Sequence, residues 1–231
     1  MFCSSEKYLE GSINPINVID VVKHNLDFKR ANPDYFDPEG LMVFCGEQGS
    51  GKTLSAVQYV KKICEAYPKA KLCTNVDITG LPEDTEVIEY TGIECLTTIE
   101  NGMFGVIYYI DEIHLEFNSL ESKNVPIEVM IEVSQQRKQR KHIVGTLQVY
   151  GRLAKPLREQ IRNVVLCSNY FKVLQVNKLI DGSKSVEKDG QLITETTKSY
   201  IWFHKPSLYN SYDTYAKMRR YRNEWKGVKR V

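Results

Sequence analysis

Gly46-Glu47-Gln48-Gly49-Ser50-Gly51-Lys52-Thr53 places two glycines, Gly46 and Gly51, a lysine and a hydroxyl residue at the offsets of a phosphate-binding loop, the Walker A pattern, with Gly49 as a third glycine between them. The residue types follow from the chemistry of a triphosphate, which concentrates several negative charges in a small volume. Backbone N–H groups in a tight loop can face those charges if no side chain intrudes, and Gly46, Gly49 and Gly51 leave that space. Lys52 is expected to reach the β- and γ-phosphates as a point charge, and the Thr53 hydroxyl to ligate Mg²⁺. The expected nucleotide-binding stretch runs from Gly46 through Thr53 to Leu54, where a helix begins. Its positive dipole end and unpaired N–H groups would face the same phosphates.

A pair of acids lies about sixty residues downstream. Gly105-Val106-Ile107-Tyr108-Tyr109-Ile110 ends in Asp111-Glu112. Two carboxylates at the end of a hydrophobic strand are costly near a core unless they handle a cation or a proton. Beside a phosphate loop, Asp111 would hold Mg²⁺ and Glu112 would take a proton from attacking water as general base. The adjacent acids favour ATP hydrolysis over a slow switch or a small-molecule kinase. Gln148 follows the apolar run His142–Leu147, and an amide at that strand end can orient water near a γ-phosphate.

The elements that must position these groups are legible from the hydrophobic pattern. Leu41–Cys45 reads as a buried strand before the loop, and Leu54, Val57, Val60 and Cys64 have helical spacing after it. Lys71–Val76 and Glu86–Tyr90 read as strands, Ile93–Glu100 as a helix, and Pro126 to about Lys138 as a long helix. This alternation predicts an α/β fold, a mainly parallel sheet with helices on both faces. Residues 1–39 read as a leader whose short apolar helix spans Ile16–Val22; residues 40–170 form the core; 171–231 form an extension. From about Val164 the pattern changes: Val164–Cys167 and Phe171–Val176 read as paired runs, and Leu192–Phe203 as a β-rich stretch. Together they predict antiparallel strands at one side of the sheet. From about Ser211 the chain reads as a basic helix, with Lys217, Arg219, Arg220, Arg222, Lys226, Lys229 and Arg230 among Tyr215, Tyr221 and Trp225.

Composition frames these readings. At 231 residues, with 42% hydrophobic and 26% charged residues, the chain suits one α/β domain with an appendage. A formal net charge of +2 does not by itself argue for nucleic acid. The distribution says more, because the basic tail interleaved with aromatics suits phosphate contact and base stacking. A second basic zone runs from Arg137-Lys138-Gln139-Arg140-Lys141 to Arg152, Lys155, Arg158 and Arg162. Arg137, Arg140 and Arg152 are candidates to project into a neighbour's nucleotide site and stabilise transition-state charge. Solvated helix faces are the plainer reading of both zones. Six scattered cysteines lack metal-ligand spacing and read as free thiols in apolar positions. Glu6, Lys7 and Glu10 argue against a secretory signal, and no apolar run reaches membrane-spanning length, so the expected compartment is a bacterial host's cytoplasm.

Tyr108–Glu112, Gln136-Arg137-Lys138, Thr146-Leu147-Gln148 and Leu157–Arg162 together resemble the zonular occludens toxin (Zot) family. That family includes assembly ATPases of filamentous phages and belongs with the FtsK–HerA type of motor ATPases. The resemblance covers roughly residues 40–170, and Tyr209–Tyr215 resembles the tyrosine-containing segment that follows. It implies a RecA-like P-loop NTPase that forms a homo-oligomeric ring and packages, extrudes or translocates phage DNA with ATP and Mg²⁺. A capsid or portal partner fits that role. It assigns Lys52 and Thr53 to nucleotide and metal, Asp111 and Glu112 to hydrolysis, and Gln148 to sensing. Filamentous-phage members carry a transmembrane helix after this domain and this chain shows none, so a soluble packaging or transfer motor is expected. The alternative is an ATP-controlled DNA-binding adaptor or helicase loader without translocation. A GTP switch fits less well, because Asn177-Lys178-Leu179-Ile180-Asp181 places the guanine-reading acid one position late.

Overall fold

Central strands rich in Val, Ile, Leu and Tyr bury both faces here, which only a sheet sandwiched between helices permits. The structure, a computed structural model, describes residues 15–37, 39–119, 125–182, 186–188, 191–193 and 196–213. The chain divides into two compact units, one ending at Tyr35 and the other beginning at Phe36.

In the first unit, α1 spans Pro15–Ala31. It is longer than the Ile16–Val22 helix read from the sequence, because nothing breaks it before Asn32-Pro33. Asn32 closes its end with a side-chain hydrogen bond to the Phe28 carbonyl, and Phe28 meets Tyr35 edge to face.

The second unit holds an eight-stranded sheet. Its strands include β1 (Leu41–Cys45), β2 (Lys71–Thr74), β4 (Val87–Glu89), β5 (Val106–Ile110), β6 (Lys141–Leu147), β7 (Ile161–Tyr170), β8 (Leu174–Asp181) and β11 (Thr196–Phe203). The order is β11-β8-β7-β1-β6-β5-β2-β4. From β7 to β4 all neighbours are parallel, and β8 and β11 extend the β7 side antiparallel. Two-stranded pairs are formed by β9 (Val186–Lys188) with β10 (Gln191–Ile193), and by β3 (Asp77–Ile78) with β12 (Tyr212–Asp213).

Alternate residues of each strand feed two separate cores. Met42, Phe44, Ile107, Tyr109 and Val144 pack with Leu54, Val57 and Val60 of α2 (Lys52–Ala66). Val43, Tyr108, Ile110, Ile143 and Leu147 face the other way, toward α3 (Cys95–Thr98), α4 (Ile127–Gln135) and α5 (Lys155–Arg158). The parallel sheet covered on both faces is therefore present.

Several predicted boundaries move. The Ile93–Glu100 helix is a single turn, α3, where Thr97 and Thr98 turn their hydroxyls back onto the Glu94 carbonyl and Ile99 is extended. The long helix stops at Gln135 because the chain must reverse into β6; Lys141 N–H bonds Gln136 O at 2.8 Å, and Arg140 is left-handed. The run starting at Phe171 begins its strand only at Leu174, since Phe171 and Lys172 form a hairpin turn with φ of 56° and 55°. Leu192–Phe203 is broken into β10 and β11, and only β11 joins the main sheet. A short helix, α6 (Pro206–Tyr209), precedes β12. Tyr212 and Asp213 are a strand, not the start of the basic helix. The basic residues from Tyr215 onward, and Cys3, lie outside the described residues.

Candidate functional site

Parallel pairing brings the chemistry together. Cys45 pairs with Leu147, and Ile110 with Gly145, so the carboxyl ends of β1, β5 and β6 line up on one sheet edge. The loop follows Cys45, Asp111 follows Ile110, and Gln148 follows Leu147. Such an edge is where ligands bind in open α/β sheets.

The loop turns tightly enough to exclude side chains. A β-carbon on Gly46 would lie 2.7 Å from the Cys167 carbonyl oxygen. Gly51, with φ of 80°, caps the start of α2 in a left-handed conformation, and no side chain caps that helix end. The first N–H groups of α2 are thus left for an anion. The Lys52 ammonium is buried and donates to the Glu47 carbonyl at 2.9 Å, inside its own loop. Ser50 Oγ is buried in the same loop and finds no hydrogen-bond partner among the described residues. Uncapped helix N–H groups, a folded-back lysine and an orphaned hydroxyl fit a phosphate group.

The acid pair is held next to this loop. Thr53 Oγ donates to Asp111 Oδ1 at 3.1 Å, and Thr146 Oγ donates to the same oxygen at 2.7 Å. Asn75, just beyond β2, clamps the Asp111 backbone twice, accepting its N–H at 2.8 Å and donating to its carbonyl at 3.1 Å. Glu112 is left-handed, φ 55°, with its N–H bonded to Thr146 Oγ at 2.8 Å. One hydroxyl therefore donates to the first acid and accepts from the backbone of the second. His114 Nδ1 stands 3.3 Å from Glu112 Oε2. Among the described residues no cluster of three or more His, Cys, Asp or Glu could hold a metal alone. The Thr53 hydroxyl and Asp111 carboxylate are hard oxygen donors that suit Mg²⁺, which binds through few protein oxygens, with phosphate and water completing the shell. Burial pushes the Cys45 thiol up to about 11, so at the loop mouth it is a protonated apolar group. Burial, with Asp111 as neighbour, raises the Tyr109 phenol well above its ordinary value.

The remaining candidates divide between the two edges. Gln148 is exposed, and its carbonyl accepts a weak bond from Cys45 Sγ at 3.8 Å, beside the loop entrance. Arg152 is exposed in the 3₁₀ turn Tyr150–Arg152 on the same edge. Arg137 and Arg140 precede β6 and lie at the opposite edge, roughly 20 Å away at the rise of a strand. The Arg140 guanidinium donates to the Gly102 carbonyl there at 3.2 Å. Sequence reasoning missed Asn75, Thr146 and His114. Thr146 and Asn75 carried a usable signal, being small polar residues at the ends of apolar strands. His114 gave none, since its closeness to Glu112 depends on the turn Ile113–Leu115.

No protein-family model matches this sequence, and no curated protein matches it. Solved structures do resemble the fold. The N-terminal domain of zonular occludens toxin from Neisseria meningitidis aligns at 18% identity over 75% of this chain and 98% of that one, with a TM-score of 0.54. The DNA-packaging ATPase B204 from Sulfolobus turreted icosahedral virus aligns at 13% identity over 74% and 98%, with a TM-score of 0.46. A KaiC-like protein from Pyrococcus horikoshii aligns at 13% identity over 73% and 90%, with a TM-score of 0.46. This chain has an α/β P-loop NTPase fold of the kind seen in the Zot N-terminal domain.

Proposed function

We propose that this chain is an ATPase whose hydrolysis drives the packaging or translocation of DNA for a phage or related mobile element. One observation carries the hydrolytic part: the Thr53 hydroxyl and the Asp111 carboxylate meet at 3.1 Å, with Glu112 fixed beside them through Thr146. In this reading Lys52 exchanges the Glu47 carbonyl for phosphate oxygens, and the α2 N–H groups hold the same anion. Thr53 and Asp111 would hold Mg²⁺, which supplies charge neutralisation on the phosphates when bound. Glu112 accepts the proton of the attacking water, and Gln148 orients that water from the end of β6. The resemblance of the acid pair and its flanking motifs to the Zot family supports DNA as the polymer, and a ring of identical subunits as the working form. No helix among the described residues is long and apolar enough to cross a membrane.

ATP turnover measured with and without single- and double-stranded DNA, together with the mass of the assembly, tests this reading. Lys52→Ala should abolish both nucleotide binding and turnover. Glu112→Gln should bind ATP but hydrolyse it at least about 100-fold more slowly, the scale of a lost general base. Normal turnover by either variant defeats the site. ATPase activity indifferent to DNA would leave an ATP-controlled adaptor in place of a motor.

A further inference from the structure

Two amide side chains on β8 stand outside the hydrolytic motifs, yet Gln175 touches the phosphate loop and Asn177 the helix that follows it. Burial alternates along β8, and its inward positions include Gln175 and Asn177, which are 0% and 8% exposed. Inward positions on a strand covered by a helix are ordinarily apolar, because a buried amide must find partners. Here the partners lie on the loop and on the first turn of α2. Gln175 Nε2 donates to the Ser50 carbonyl at 3.0 Å and to Asn177 Oδ1 at 3.0 Å. Ser55 Oγ donates to the same Asn177 oxygen at 3.2 Å. With both its N–H groups committed to oxygens, Gln175 has Oε1 left to accept from His204 Nε2, 3.2 Å away. His204 follows β11 and is anchored by its own N–H to the Val173 carbonyl at 2.8 Å.

Ser50 and Ser55 bracket Lys52 and Thr53, so β8 holds the phosphate-facing segment from both ends. Gly51 completes the fit, since a β-carbon there would fall 2.1 Å from Gln175 Oε1. The carbonyl of Ser50 and the N–H of Gly51 belong to one planar trans peptide and point in opposite directions. Fixing that carbonyl toward β8 therefore turns the Gly51 N–H away from it. We propose that Gln175, seconded by Asn177, is a positioning residue of the nucleotide site: from the antiparallel extension it sets the loop peptide that must present its N–H to phosphate. This rests on the nucleotide-binding reading of the loop given above.

The test uses the full chain with Gln175→Met, which keeps the side-chain volume and removes both hydrogen-bonding ends. The Ser50 carbonyl can turn to water and Asn177 keeps Ser55, so the nucleotide-free melting temperature should move little. Binding of a fluorescent ATP analogue should weaken, and KM for ATP rise, by about tenfold, while kcat stays within about twofold. Ser55→Ala, a smaller change, should shift affinity the same way by about threefold, and it decides the matter if Gln175→Met fails to fold. Unchanged affinity in whichever variant folds overturns the proposal. So does a fall in kcat at constant KM, because that places Gln175 outside ground-state positioning. Lys52→Ala run alongside separates the two failures. If it loses nucleotide and Gln175→Met does not, the positioning role alone is wrong; if it binds normally, the loop reading falls and the inference with it.

Discussion

Glu112 occupies a left-handed backbone conformation that costs a residue with a β-carbon roughly 1–2 kcal/mol. It is held there by its N–H bond to Thr146 and by Ile113, whose side chain fills the space above Gly145. A β-carbon on Gly145 would lie 2.9 Å from Ile113 Cβ, too close for a rotamer change to relieve. Gly145→Ala should therefore destabilise the chain by about 1–3 kcal/mol through overpacking. It should also lower ATP turnover more than ATP affinity, because the turn carrying Glu112 moves while the loop does not. Paired denaturation and steady-state measurements check this, and wild-type kcat in a folded variant would contradict it. The identities of Lys52, Thr53, Asp111 and Glu112 were legible from offsets alone. Thr146, which joins the two acids through one hydroxyl, was not, because its role is a contact between strands 35 residues apart in the chain.

At the scale of elements, β6 carries a buried titratable group as well as the site edge. His142 is buried, with Nδ1 2.6 Å from the Gly40 carbonyl and Nε2 3.0 Å from Tyr59 OH. Burial lowers its pKa from 6.5 to about 4. Between those values the unfolded chain binds a proton there that the folded chain refuses, so stability falls as pH falls through that window. The full effect is about 3 kcal/mol. Denaturant midpoints at pH 7, 5.5 and 4.5 should drop in the native chain and drop less steeply in His142→Gln. Equal slopes would assign the acid sensitivity elsewhere. The parallel strands of the core were well read from apolar runs, whereas the Leu192–Phe203 stretch splits into β10 and β11 and α3 and α4 came out shorter than predicted. Helical periodicity continues past the point where the chain must turn into the next strand, and only the turn itself, at Arg140 or Ile99, marks the stop.

On the scale of the whole molecule, the arginine candidates sit on two different edges. Arg152 shares the edge of the loop, while Arg137 and Arg140 lie at the opposite one, out of reach of the chain's own loop. If subunits complete one another's sites, Lys52→Ala and Arg137→Ala/Arg140→Ala should each be inactive alone. Mixed, they should recover roughly a quarter of wild-type turnover, as expected when one competent site needs one intact partner on each side of an interface. A mixture no more active than its parts would remove both residues from trans catalysis and leave Arg152 as the candidate.

The sequence by itself determined the loop, the acid pair and the alternation of strands and helices, because each is encoded in residues close together along the chain. The tertiary structure decided which strands neighbour which, and so which residues share an edge. Parallel pairing put Thr53 against Asp111, and antiparallel pairing carried Gln175 beneath Ser50, 125 positions away. Contacts of that range are set by the packing of whole elements, which leaves no local spacing for a sequence pattern to record.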